Sequence, residues 1–455
     1  MAKANFKLIF FFLLFNGVEL LKAQEKQVLF SLDSCLTIAK SKNFLIREAE
    51  INIKLSEEKI KEAHKTWIPK ISGFYNGFYD IYRANHIDEI IEDDHPHTKH
   101  LHYDLSNVAG IEASALLYNF NSRKYRKEKS LFENLVAINE KKDQENKVIL
   151  RIYELFFTIL INQKLLNISE NNVNNLSNLH KISEKKFAIG VITKFDLSQI
   201  EQEYNNSVYD HQEKEQQLTQ SKFALLNFLQ LEHSPDNLVI QDFESSQNES
   251  TLSKLLLFKF NKEHLENYPI LLAEKNRLKM MEKEVLLYKN NIKPKINGFM
   301  SFGTSSQSFL NAESQNNSLY SQWGNNINNR IGVSITVPIV NSYSDKSIIV
   351  QSRILVENQI NNIHKIENEL YGQIYSELLN LKNDQKLISL AKVRENVSKK
   401  VFEMSVSAFN SGTINTYDLN KSRLDFISNQ VERARLEITS RLREKVIEVY
   451  YQFNI

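Results

Sequence analysis

Along most of the chain, apolar residues recur at steps of three and four, the period of a helix that buries one stripe. The stripe is longest between Asn119 and Ile189, through Leu131, Leu135, Ile138, Ile149, Ile152, Phe156, Ile159, Leu166, Val173, Leu176 and Phe187. Asn119 to Ser122 can cap this helix at its start. A helix of nearly 70 residues is on the order of 100 Å long. A second of the same length is expected from Asn341–Ser342 to Asn410. Shorter helical patterns run from Ser31 to about Thr66, Thr193 to Leu231, Asn261 to about Lys289, and beyond the second long helix to Tyr451.

In two places the period drops to two. Leu105, Asn107, Ala109, Ile111, Ala113, Ala115 and Leu117 alternate with Ser106, Val108, Gly110, Glu112 and Ser114. From Ile331 to Ile339, isoleucine and valine alternate with glycine, serine and threonine. An apolar face opposite a small or polar face suits a strand between lipid and a wet lumen. Two further strands are expected at about 70–82, rich in aromatics (Phe74, Tyr75, Phe78, Tyr79, Tyr82), and at about 295–303. Those aromatics fit either an interfacial girdle or core packing. Residues 83–104 and 304–328 read as polar loops.

The chain also repeats itself. Phe187-Ala188-Ile189-Gly190-Val191-Ile192-Thr193-Lys194-Phe195-Asp196-Leu197 returns as Phe409-Asn410-Ser411-Gly412-Thr413-Ile414-Asn415-Thr416-Tyr417-Asp418-Leu419. Ile68-Pro69-Lys70-Ile71-Ser72-Gly73-Phe74 is echoed by Lys293-Pro294-Lys295-Ile296-Asn297-Gly298-Phe299. A period of about 220 residues is a duplication rather than a solenoid. Each half reads as helix, strand, loop, strand, long helix, glycine tip and returning helix. The tips are read as hairpin turns, because glycine at a helix C-terminus supplies the left-handed residue that ends it. The short helices, placed end to end, match the long ones in length, so the count predicts a wall of helices around a cylinder. The expected division is 24–231 for the first repeat, 232–260 for a linker and 261–455 for the second repeat.

Composition narrows the class. With 57 basic and 55 acidic residues, nothing points to nucleic acid, and eleven glycines and six prolines in 455 residues leave room for extensive helix. Residues 1–23 read as a secretory signal, with Lys3 and Lys7 before an apolar run too short to span a bilayer. No later run reaches 18 apolar residues, so any membrane insertion must use strands. The single cysteine, Cys35, cannot form an internal disulfide and is expected to be a small apolar residue on a helix face. Four strands cannot close a barrel, and open edges in lipid leave backbone groups unsatisfied. Closed barrels begin at about eight strands; two chains would meet that minimum, and three, giving twelve strands, are preferred.

Together, the signal segment, the Ser31-Leu32-Asp33-Ser34-Cys35-Leu36 opening, both Pro-Lys-Ile-x-Gly-Phe strand starts, Val337-Pro338-Ile339 and both glycine–aspartate tips resemble the TolC family of outer-membrane efflux proteins. The resemblance runs over essentially the whole chain after the signal. It implies a mainly α fold with a small β part: long duplicated helical hairpins form a periplasmic α-barrel, and four strands per chain enter a shared trimeric β-barrel. It implies a passive exit duct for efflux, multidrug export included, or for type I secretion. Its partners would be a homotrimer, a periplasmic membrane-fusion adaptor, an inner-membrane pump of RND or ABC type, and outer-membrane lipid. No cofactor is implied.

On that resemblance Gly190, Val191, Ile192 and Thr193, with Gly412, Thr413 and Ile414, are adaptor-docking residues, although an ordinary turn would use the same residue types. Asp418 matches an acidic ring that narrows the periplasmic end. The next such position is Lys421 here, a departure from the family that allows an i,i+3 pair. Asp418 and Asp196 can equally cap the helices that follow the tips. In the loop at 86–102, His86, His95, His97, His100 and His102 stand among five carboxylates, of which His95, His97, His100 and His102 are weak metal candidates against the reading of a solvated loop. No catalytic motif is present. The rival reading is a periplasmic adaptor or elongated coiled-coil protein without a pore, which would have no use for the alternating strands.

Overall fold

The computed structural model describes residues 28–84, 100–241, 260–309, 319–339 and 342–452. The expected signal segment, linker residues 242–259 and most of the 86–102 loop lie outside them. The fold is mainly α with a small β part. Its elements are β1 (Val28–Phe30), α1 (Leu32–Lys42), α2 (Phe44–His64), β2 (Lys70–Ala84), β3 (His100–Tyr118), α3 (Ser122–Ala188) and α4 (Lys194–Leu229). There follow β4 (Leu238–Ile240), α5 (Pro269–Asn291), β5 (Lys295–Phe309), α6 (Leu319–Asn325), β6 (Ile327–Thr336), α7 (Ser342–Asn410) and α8 (Thr416–Tyr451). The hairpins repeat almost residue for residue in length: 67 and 36 residues for α3 and α4, 69 and 36 for α7 and α8.

Several boundaries differ from the sequence reading, each for a local reason. The first helix is two. Asn43 leaves the helical region at ψ 128°, and its Oδ1 accepts from Leu45 N at 2.9 Å, capping α2 as α1 ends. The second incoming helix starts at Pro269 rather than near Asn261, after a short 3₁₀ turn at Lys262–Leu265; a proline lacks the N–H that a first turn leaves unused. β3 and β5 reach further into residues read as polar loop, and β6 ends at Thr336, short of Val337-Pro338.

Contacts group the chain into two compact units that cut across the repeats: residues 1–50, 139–271 and 365–455 form one, and residues 51–138 and 272–364 the other. In the first unit, β1 and β4 pair in parallel, from Val28↔Leu238 to Phe30↔Ile240. Around that pair the largest core gathers Leu32, Cys35 and Ala39 of α1, Ile152, Phe156, Phe157 and Ile159 of α3, and Leu225, Leu226 and Leu229 of α4. Cys35 is fully buried, and that burial pushes its thiol up to about 11, as expected of an inert apolar filler.

The second unit holds an antiparallel four-stranded sheet in the order β2-β3-β5-β6. Directly paired residues share a face, so the register can be read across it. One row runs Ile71–Ala113–Met300–Ile331. The row beside it on the opposite face runs Ser72–Glu112–Ser301–Arg330. Ile71, Ile111, Met300, Phe302, Ile331, Val333 and Ile335 are all more than half exposed on the apolar face. The strands approach closely at Gly110 and Gly303 on the polar face. A Cβ on Gly110 would lie 2.5 Å from the Phe302 carbonyl oxygen, and one on Gly303 2.7 Å from that of Ala109.

Candidate functional site: the paired hairpin tips

Both tips end their long helices with the same device. Gly190 at φ +78° and Gly412 at φ +77° take the left-handed conformation. At the first tip, Gly190 N donates to Phe187 O (2.9 Å) and Val191 N to Lys186 O (2.8 Å). At the second, Gly412 N donates to Phe409 O (3.1 Å) and Thr413 N to Ala408 O (2.9 Å). These are Schellman pairs, which satisfy carbonyls that a helix end leaves open. Neither glycine has a neighbour within 4 Å of where a Cβ would sit, so backbone conformation alone selects it.

The returning helices begin on capping residues that the sequence reading placed one turn too late. Thr193 is the N-cap of α4: its Oγ1 accepts from Asp196 N at 3.1 Å, and Thr193 N donates back to Asp196 Oδ2 at 3.1 Å. Asp196 is thus the far half of a capping box. The Thr193 hydroxyl, which donates to the same Oδ2 at 2.6 Å, holds the Asp196 carboxyl below its ordinary value. At the second tip the cap is Asn415, whose Oδ1 accepts from Asp418 N at 2.9 Å. Asp418 is not the cap, and its carboxylate stays exposed. Lys421 is exposed as well, and the two make no ion pair within the chain among the described residues.

The tips touch each other. Thr416, 3% exposed, donates to Gln199 Oε1 at 2.5 Å and to Asp196 Oδ1 at 3.2 Å. From the other side, Lys186 Nζ donates to Phe409 O at 2.9 Å and to Asn410 O at 3.2 Å, and lies 4.5 Å from the centre of the Phe409 ring. Desolvation there lowers the Lys186 ammonium from its ordinary value. Between these polar ties, Ile200, Phe409 and Leu419 form a small apolar core with Leu179, Phe402, Val406 and Ile414 packed on it.

One turn further along α8, Arg423 is 4% exposed; it donates to Glu203 Oε2 at 2.6 Å and to Asn172 Oδ1 at 2.9 Å, with Nε left unpartnered. Burial pulls this guanidinium down from its ordinary value, and Glu203 pushes it back up. Sequence reasoning missed Lys186, Thr416 and Arg423. For Arg423 there was a signal: it extends the stripe Thr416, Leu419, Ser422, which α8 turns inward.

The residues expected to dock an adaptor form an exposed rim beyond these contacts. Gly190, Val191, Thr193, Gly412 and Thr413 are exposed and Ile192 and Ile414 half-buried. Ile189, Phe195 and Tyr417, at 70–75% exposure, enlarge the apolar part of that rim. Of the metal candidates, His95 and His97 lie outside the described residues, and His100 and His102 begin β3. Among the described residues no group of three or more histidine, cysteine or acidic side chains can hold a metal ion.

Residues 36–229 match the outer membrane efflux protein family. No curated protein matches the chain by sequence. Solved structures match over nearly its whole length. The CmeC outer membrane channel of Campylobacter jejuni is 14% identical with a TM-score of 0.74, covering 93% of this chain and 86% of CmeC. The fold is that of the outer-membrane efflux channels. The MtrE outer membrane channel of Neisseria gonorrhoeae, solved in an open state, gives a TM-score of 0.67 at 15% identity over 93% of this chain and 88% of its own. The outer membrane protein VceC of Vibrio cholerae gives 0.70 at 11% identity, covering 92% and 95%. The family match lies in the first half of the chain, and the fold match carries the architecture through the second.

Proposed function

We propose that this protein is the outer-membrane exit duct of a tripartite efflux or type I secretion system. It conducts substrates passively from an inner-membrane pump of RND or ABC type, met through a periplasmic membrane-fusion adaptor. The observation that carries the reading is the sheet. Its apolar face suits lipid and its polar face a wet lumen, yet β2 and β6 each leave an edge unpaired among the described residues. In a bilayer such edges cost several kcal/mol per unsatisfied group, so other copies must continue the sheet. Three copies would supply a twelve-stranded barrel. Separately, Leu390, Val393, Val397, Val401 and Met404 on α7, at steps of three and four, are 49–71% exposed. A stripe of that spacing is a coiled-coil seam without its partner.

In this reading the tip residues Gly190 to Thr193 and Gly412 to Ile414 dock the adaptor, whose binding would act on the lock formed by Thr416, Lys186 and Arg423. Asp418 and Lys421, exposed and without an ion pair among the described residues, face the periplasmic mouth in the assembly and set its charge. The test is conductance of the purified protein in planar bilayers. Discrete channels are expected, with Asp418→Asn lowering cation preference and Lys421→Gln raising it. Absence of channels would reject the duct, and unchanged ion preference in both variants would remove the pair from the mouth.

A further inference from the structure

Where β3 passes into α3, the second unit contains a cavity of about 490 Å³ that the duct reading does not use. The end of β3 lines one part of it with Leu116, Leu117 and Tyr118, and the end of α2 and first turns of α3 line the rest with His64, Arg123, Lys124 and Lys127; no acidic residue lines it. The cavity is therefore apolar on one side and cationic on the other.

Its apolar side is continuous with the lipid-facing surface. Leu117, at the register shift between Leu116 and Tyr118, lies over Gly298, which pairs with Ala115 on the face of Ile111 and Ala113, and it is 54% exposed. The cations on the other side are poorly neutralised. Arg123 is tethered only through Nη2, which donates to Leu116 O at 3.0 Å. Lys124 reaches Glu128 only at 3.9 Å, and Lys127 has no ion pair among the described residues. Two buried polar atoms at the same junction lack partners: Asn119 Oδ1, on a residue lining the cavity, and Ser122 Oγ, on a residue 5% exposed at the start of α3. A helix start adds open backbone N–H groups and the positive end of its dipole.

We propose that this cavity holds the phosphodiester headgroup of an anionic phospholipid from the inner leaflet of the outer membrane. The phosphate meets Arg123, Lys124 and Lys127, and an acyl chain lies along Leu117. A donor group on the lipid head, such as a glycerol hydroxyl, can reach the unpartnered Asn119 Oδ1. The assignment rests on the outer-membrane reading, because that reading puts the helix end of the strands on the periplasmic side, where phospholipid is the neighbouring layer. Basic clusters at a bilayer boundary recognise anionic headgroups by the same charge complementarity.

The full-length protein is reconstituted in bilayers of equal phosphatidylglycerol and phosphatidylcholine, extracted in mild detergent, and its retained lipid counted by native mass spectrometry. Phosphatidylglycerol should be retained over phosphatidylcholine by about tenfold. The Lys124→Gln/Lys127→Gln variant should lose most of that preference with its amount in the outer membrane and its native mass unchanged. No preference in the natural chain, as would follow if a second copy covered the cavity, overturns the proposal, as does full preference in the variant. Complete displacement of the lipid by excess inorganic phosphate would reassign the cavity to free anions and also overturns it. Absence of the natural chain from the membrane fraction is a separate result, which rejects the duct itself.

Discussion

At the residue scale, the tips show how few positions decide the ends of 67- and 69-residue helices. Gly190 and Gly412 are needed for conformation, since a side chain would meet open space in either place. The left-handed conformation costs an L-residue roughly 1–2 kcal/mol. Gly412→Ala should therefore loosen the second tip by about that amount, read as faster amide exchange at Gly412 and Thr413 with protection in the middle of α7 unchanged. Unaltered exchange at the tip would mean that the Schellman pair does not hold it. These glycines were legible because the eleven-residue motif occurs twice. The roles of the aspartates were less so. Sequence placed both as possible caps, yet Thr193 and Asn415 cap, and the two motifs diverge there: Asp196 is tied into a box, while Asp418 stays exposed. The partners that lock one tip to the other, Thr416 with Gln199 and Lys186 with the Phe409 carbonyl, are about 220 positions apart, a separation over which helical periodicity says nothing.

At the element scale, helices were easier to read than strand ends. The three-and-four stripe persists through α3 and α7, whereas β5 runs on through Thr304-Ser305-Ser306-Gln307-Ser308, which looks like loop. These residues pair with Leu105 to Ala109 of β3. A strand with polar groups on both faces has no alternation to announce it. The proline in Val337-Pro338 cannot donate to a ladder, which is consistent with β6 ending at Thr336. The glycines inside the sheet carry a sharper expectation. Gly110 and Gly303 let β3 and β5 come close on the polar face, and the Phe74 ring lies over Gly110, its Cζ 3.1 Å from where a Cβ would sit. Gly110→Val would drive a side chain into the Phe302 carbonyl and the Gly303 backbone. The variant should accumulate in the periplasm and be depleted severalfold from the outer-membrane fraction. Normal insertion would show that the sheet has slack the register does not suggest.

At the scale of the whole molecule, the duplication and the compact units are different divisions of one chain. Each repeat contributes a strand pair to the sheet unit and a hairpin tip to the other, so neither repeat holds a complete sheet or a complete pair of tips. The sequence could show the repeat but not the regrouping, because regrouping depends on contacts such as β3 with β5, which join residues about 200 apart. The same logic extends past the single chain. A four-stranded sheet with two open edges among the described residues and an apolar face, and a helix with an apolar stripe at coiled-coil spacing, are both incomplete in isolation, and the proposed assembly would complete both with further copies. The most direct test is the native mass of the protein extracted by detergent from the outer-membrane fraction. A complex of three 53.1 kDa chains, slightly lighter if the signal is removed, is the expected result. A monomer that leaves the membrane without detergent would contradict the shared barrel and return the chain to the class of soluble coiled-coil proteins.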